Sequence, residues 1–319
     1  MLRSRRRLVA CLIGLWAIAI TAPTLRGQTL TVATEARAYQ PGELVLFRVS
    51  APDGVSAVSV DAFDRTVTAG PRPDLPSSPS PVWVALVGID LDVRPGAVTA
   101  VVTADTAAGP ISTSVPIVVR RKAFPTRRLR VNPALVDPPP EALARIKAEV
   151  ARVNEIYGSP APTALWQIPF VRPVGDPANS RFGSRSIFNG RRGSPHAGAD
   201  FLSATGTPIR APSGGRVRLA ADQYFSGNTV ILDHGLGLFS IFAHLSAFEV
   251  AEGDMVTPGQ VIGRVGATGR VTGPHLHWGV RASGARVDPL SLLSVLGDAV
   301  GTAAREPSAV APIAPAAAR

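Results

Sequence analysis

From Thr29 to about Val119 the chain alternates short apolar or β-branched runs with turn signals. Leu30-Thr31-Val32, Leu44 to Val49, Val82 to Val87 and Val98 to Val102 are separated by Pro41-Gly42, Asp53-Gly54 and Pro95-Gly96, the punctuation expected between antiparallel strands. Residues 28–131 therefore read as a β sandwich of immunoglobulin-like size. A basic, proline-rich crossing follows, from Phe124-Pro125 to Pro138-Pro139-Pro140, where regular helix is barred. Between Glu141 and Tyr157 the apolar residues Leu143, Ile146, Val150, Val153 and Ile156 recur at steps of three and four. That spacing predicts a helix ending near Gly158-Ser159-Pro160, so 132–165 is linker plus packing helix. Residues 166–296 return to Gly-rich turns joining short β runs, a second antiparallel β domain. The Ala/Pro-rich stretch 297–319 has too few large apolar residues for a core and is expected to be a disordered tail. The fold class is mainly β.

At its start the chain carries Arg3, Arg5, Arg6 and Arg7 ahead of an apolar run from Leu8 to about Ala22, the order of an export signal. The run is short for a membrane span. Residues 1–27 are read as a signal cleaved after Gly27, with an uncleaved inner-membrane anchor as the alternative, and the protein is expected in the periplasm or cell envelope. Ser4-Arg5-Arg6 resembles a twin-arginine start, and the export route stays open. Cys11 is the one cysteine and lies inside this segment. The mature chain thus has neither disulfides nor thiolate ligands, and a transition-metal site must be built from His, Asp and Glu.

The formal net charge is +10, carried almost wholly by arginine, and suits polyanionic surroundings such as cell-wall polymers. No basic stretch is interleaved with aromatics and no phosphate loop is present, so nucleic acid is not an expected partner.

Every histidine lies in the second β domain. In a strand, residues two apart share a face, so His275 and His277 look into one site. His196 and Asp200, four apart around Gly198, converge on the same point if the segment bends from loop into strand. Two imidazoles and a carboxylate make three ligands, the number that leaves a tetrahedral zinc one position open for water.

The segments His196-Ala197-Gly198-Ala199-Asp200, Phe242-Ala243-His244-Leu245 and Gly273-Pro274-His275-Leu276-His277-Trp278 resemble, in order, the signatures of the lysostaphin or LytM-type (β-lytic) zinc metalloendopeptidases. The likeness runs from about 166 to 293. It extends through Gly206-Thr207-Pro208-Ile209, Asp233-His234-Gly235-Leu236-Gly237 and Gly253 to Gly263. Residues 29–131 with the helix are similar to the N-terminal module of some Gram-negative-type members, most clearly at Lys122-Ala123-Phe124-Pro125. The resemblance implies an antiparallel β fold with a groove over one sheet and one Zn2+ held by His196, Asp200 and His277. It also implies catalytic roles for His244 and His275 and hydrolysis of peptidoglycan peptide bonds.

On that reading zinc activates water while His244 and His275 move protons and stabilise the oxyanion, in an order left open. The competing readings are a non-hydrolytic peptidoglycan-binding scaffold, an amidase activator, and a peptidase for other Gly-rich proteins. His234 reads as structural or groove-lining. Arg181 and Arg185 are candidates for meeting acidic substrate groups, but exposed arginines are ordinarily just solvated. The sequence leaves the oligomeric state open.

Overall fold

A computed structural model of the chain describes residues 29–72, 82–130, 138–179, 182–297 and 306–307. The export signal, Arg181, and the tail apart from Gly297 and Glu306–Pro307 lie outside the described residues.

The first module contains β1 (Thr31–Ala36), β2 (Leu44–Ser50), β3 (Ala57–Ala62), β4 (Arg65–Pro71), β5 (Val82–Gly88), β6 (Gly96–Thr106) and β7 (Gly109–Val119). They form one antiparallel sheet in the order β1-β2-β5-β4-β3-β6-β7. β4 pairs with β3 along most of its length and with β5 only at Gly70 and Pro71. The sheet therefore folds over at β4 into two layers. Val45, Phe47, Val49, Ala85 and Val87 from one layer pack on Val60, Val102, Ala104, Val115 and Ile117 from the other, the core of a β sandwich.

The crossing is not wholly irregular. β8 (Thr126–Leu129) joins a three-stranded sheet with β9 (Arg185–Phe188) and β10 (Arg191–Arg192), and runs parallel to β9. Between them α1 spans Pro140–Gly158 with Pro140 at its first position, where a missing N–H costs nothing. Only part of its predicted apolar stripe is covered. Ile156 is buried and Val153 and Tyr157 pack beside it on Leu219, Ile231 and Phe239, whereas Leu143 and Val150 are exposed.

The second module follows as β11 (Gly198–Phe201), β12 (Pro208–Arg210), β13 (Gly215–Gln223), β14 (Gly227–Gly235), β15 (Leu238–Phe248), β16 (Met255–Val256), β17 (Val261–Val265), β18 (Leu276–Ala282) and β19 (Ala285–Val287). The main path is β11-β18-β15-β14-β13-β16, with β12, β17 and β19 attached to it. Then α2 (Pro289–Leu296) is capped by Asp288, whose carboxylate accepts from Leu290 N at 3.0 Å, a standard way to satisfy a first-turn N–H. The pair β20 (Glu306–Pro307) lies against β1.

The two modules share a core. Leu44, Leu46, Val84 and Leu86 project from the back of β2 and β5 into the cluster that holds Phe170, Phe201, Val280, Val287 and Leu292. Both faces of β2 and β5 are thus buried, which is why they read as continuous apolar runs rather than alternating ones. Polar ties seal the rim. Arg37 lies between Glu43 and Asp288 at 2.8 Å each, Lys122 meets Glu43 at 2.7 Å, and Arg286 bridges Asp90 and Asp92. Burial opposes the Glu43 charge, but Arg37 and Lys122 outweigh it and lower its carboxyl below the ordinary range.

Because the shared cluster couples the modules, calorimetry should show one unfolding transition for both. Truncating Leu46 to Ala should cost about 2–5 kcal/mol. Two separated transitions, with only one shifted by Leu46→Ala, would show the modules to be independent.

Candidate metal centre

β11 and β18 pair with Asp200 opposite His277 and Gly198 opposite Gly279. Cross-strand partners share a face, so the Asp200 carboxylate and the His277 imidazole meet above the sheet. The segment before β11 brings in His196, whose own N–H donates to Ser184 O at 2.9 Å and whose carbonyl accepts from Gly183 N at 2.7 Å. Asp200 Oδ1 lies 3.0 Å from His196 Nε2 and 3.0 Å from His277 Nδ1, and the two nitrogens are 3.1 Å apart. The three predicted ligands therefore do converge, and they form the metal-competent group among the described residues.

Hydrogen bonds alone do not satisfy this triangle. If both imidazoles donate to the carboxylate, their N–H groups oppose each other across the third edge. If one nitrogen is bare, its lone pair faces the carboxylate. A central cation removes the conflict on all three edges, and tetrahedral zinc with ligand bonds of 2.0–2.1 Å would need edges of about 3.3 Å. Two neutral imidazoles and a carboxylate also suit zinc chemically. Burial disfavours the Asp200 charge, yet contacts from His196 and His277 overcome it and hold the carboxyl far below its usual range; burial likewise lowers His277. Both shifts favour the deprotonated, ligating forms.

Gly198 is dictated by the site. A Cβ there would lie 2.5 Å from Trp278 O and 2.7 Å from two atoms of the His277 ring. Its place in the His-Ala-Gly-Ala-Asp segment is thus a packing requirement of the His277 ring above it.

The other two predicted site histidines stand beside the cluster. His275 Nε2 is 4.0 Å from Asp200 Oδ1, and the His244 ring is 4.9 Å from that of His275 and 6.1 Å from that of His277. His244 reaches this face through a local irregularity. On β15, Phe239, Ile241 and Ala243 pair with Arg281, Gly279 and His277, whereas Leu238 and Phe242 enter the core. Regular alternation would send His244 inward after Phe242. Instead the pairing with β14 slips between Val230 and Asn228, and His244 takes a left-handed φ of 67°, so a β-bulge re-aims it.

Thr268, which sequence reasoning missed, secures this turn. His244 Nδ1 donates to Thr268 O at 2.9 Å while Thr268 Oγ1 donates to Leu245 O at 2.8 Å. His275 Nδ1 similarly donates to Gly273 O at 2.9 Å. A carbonyl only accepts, so each ring carries its proton on Nδ1 and keeps Nε2 for chemistry. Burial lowers His244 to about 4 despite the opposing Thr268 bond. Sequence offers no local signal for Thr268 beyond its place between Gly266 and Gly269.

His234 is separate from this group. It is fully buried, donates from Nδ1 to Gly214 O at 2.7 Å and accepts at Nε2 from Ser240 Oγ at 2.9 Å. Phe170 contacts its ring edge-on. Its role is to hold β14 and β15 to the turn at Gly214.

The sequence profile described as Peptidase family M23 matches residues 194–289, spanning all five site residues. A Pseudomonas aeruginosa protein assigned as a peptidase M23 is 32% identical, and its crystal structure aligns over 80% of this chain and 95% of that chain with a TM-score of 0.61. The chain belongs to peptidase family M23. Among curated relatives, the DD-carboxypeptidase/endopeptidase Mpg of Neisseria meningitidis serogroup B is 45% identical over 97 residues, 30% of this chain and 22% of that protein. The peptidoglycan DD-endopeptidase ShyA of Vibrio cholerae serotype O1 is 39% identical over 100 residues, 31% of this chain and 23% of that one. The match thus spans less than a quarter of either curated relative.

Gly198→Ala should displace His277 and lower bound zinc, measured by atomic absorption after dialysis against zinc, well below that of the unaltered chain. Full zinc occupancy in the variant would refute the packing requirement.

His234 supplies a stability change with pH. Burial lowers it to about 4 from 6.5, so as pH falls the unfolded chain binds a proton before the folded one. The contribution is intact above pH 6.5 and drains away between there and about 4, by about 3 kcal/mol in all. Urea unfolding at pH 7 and pH 5 should show a smaller loss in His234→Gln than in the unaltered protein, and equal losses would exclude His234 as the source.

Proposed function

We propose that this chain is a zinc-dependent endopeptidase that hydrolyses peptide bonds of bacterial peptidoglycan, with one Zn2+ held by His196, Asp200 and His277. The observation that carries the reading is the triangle of three donor atoms, 3.0–3.1 Å on each edge, with two more imidazoles presenting Nε2 beside it. The substrate class is supported by the names of the matching relatives, a DD-carboxypeptidase/endopeptidase and a peptidoglycan DD-endopeptidase. The arginine-led apolar run at the start of the sequence supports work outside the cytoplasm, in the periplasm or envelope.

Zinc bound there would polarise the scissile carbonyl and lower the pKa of a coordinated water to about 7. The protein's part is proton transfer and charge stabilisation. One of His244 and His275, neutral, accepts a proton from the attacking water at Nε2. The other, protonated, donates a hydrogen bond to the developing oxyanion and then passes its proton to the departing amine. The backbone carbonyls of Thr268 and Gly273 keep both rings in the tautomer this requires.

The zinc-loaded protein should release new soluble muropeptides from purified sacculi, identified by mass spectrometry, and a chelator should abolish the release. His244→Ala and His275→Ala should each lower turnover by about 10²–10⁴-fold while zinc stays near one per chain. His277→Ala should lose the metal. Digestion that persists in chelator, or no product from fully loaded protein, would sink the reading.

A further inference from the structure

The three-stranded sheet of β8, β9 and β10 gathers arginines that the proposed chemistry leaves unused. Arg185 and Ile187 lie two apart on β9 and share a face. Arg192 of β10 and Arg128 of β8 both lie opposite Ile187, and Thr126 lies opposite Arg185. One face of the sheet thus presents three exposed guanidiniums around a single isoleucine.

This face is concave where it meets the rest of the molecule. A cavity of about 360 Å³ is lined by Arg185, Arg192, Thr126 and Ile187, with Pro195 on one wall and the Arg286–Asp92 pair on another. Asp92, the cavity's acidic residue, already accepts from Arg286 at 2.6 Å. Arg185 and Arg192 have no carboxylate partner among the described residues. Two guanidiniums lining one pocket repel each other, and an entering anion relieves that repulsion while gaining charge-assisted hydrogen bonds.

The pocket is built on the same backbone as the metal centre. Arg185 N donates to Pro125 O, Gly193 N donates to Ser186 O, and His196 N donates to Ser184 O, each at 2.9 Å. Pro195, which lines the pocket, immediately precedes the ligand His196. A group held by Arg185 and Arg192 is therefore registered to the cluster through hydrogen-bonded chain.

We propose that this pocket is a substrate subsite in which Arg185 and Arg192 bind a carboxylate carried by the peptide being cut. The proposal rests on the peptidase reading and adds a preference to it: peptides bearing a free carboxylate near the scissile bond are favoured over their amidated counterparts. Binding is non-covalent, and the two arginines are specificity residues rather than catalytic ones.

The test uses the full chain and two probes, a glutamate-containing tetrapeptide with free carboxylates and the same peptide fully amidated. Calorimetric binding to metal-free protein avoids turnover. Arg185→Gln and Arg192→Gln should each weaken the acidic peptide by about tenfold and leave the amidated peptide unchanged. Arg94→Gln, an exposed arginine outside this pocket, should alter neither. In the zinc-loaded protein the same variants should raise KM for the acidic peptide with kcat nearly constant.

Equal affinity for both peptides in the unaltered protein would overturn the proposal, as would equal losses on both in the variants. Inorganic phosphate competing as well as the acidic peptide would also overturn it, since it would mark a general anion site. The calorimetric arm does not depend on hydrolysis, so failure to digest sacculi would count against the peptidase reading alone.

Discussion

Two imidazole nitrogens and one carboxylate oxygen held within 3.1 Å of one another impose the main constraint on this molecule. Without a cation the arrangement is frustrated, and side chains free to move would relax away from it. The fold prevents that by placing Asp200 and His277 on directly paired strands and fastening His196 to Ser184 and Gly183 through its backbone. Preorganisation of this kind requires rigid support. The support here is a sheet whose opposite face is filled by Phe201, Phe242 and Trp278.

The same sheet explains the division of labour among the five histidines. Residues on the cluster face of β18 and β15 are small where they approach the ligands, as at Gly279 and Ala243, and Gly198 on β11 leaves room for the His277 ring. The two flanking histidines stand at departures from regular strand, one at a bulge and one just before β18 begins. Backbone carbonyls fix their protons there. His234 also sits at a register shift between β14 and β15, but it is wholly enclosed and both of its ring nitrogens are taken up, by Gly214 and Ser240. Enclosure and hydrogen-bond partners, rather than position relative to the pleat, separate His234 from the two histidines that leave Nε2 open.

Much of this was legible from the residues. The candidate ligands stand in two short segments whose residue types point to metal chemistry, although Asp200 and His277 meet only because β11 pairs with β18. The sandwich and the helix were readable from period and punctuation. Other features depend on pairings that no local pattern carries. The inward-to-outward turn of His244 comes from a slip against β14, and the grouping of Arg128, Arg185 and Arg192 comes from the register of three short strands. The exposure of Leu143 and Val150 is equally non-local, since helical period says which residues share a face but not how far a partner surface extends beneath it. The apolar runs at Leu44 to Phe47 and Val82 to Val87 did carry a signal of burial on both sides. They could not say that the second side belonged to the other module.

That common interior bears on how such a protein can change. Cutting the catalytic region free would strip Phe170, Val280 and Leu292 of their cover from β2 and β5 and leave Asp288 without Arg37. A fragment of that kind would present a greasy flank and tend to self-associate. Exchanging the front module for an unrelated one would demand a replacement strand pair of matching shape, so variation is cheaper in the loops around the ligands than at the seam behind them.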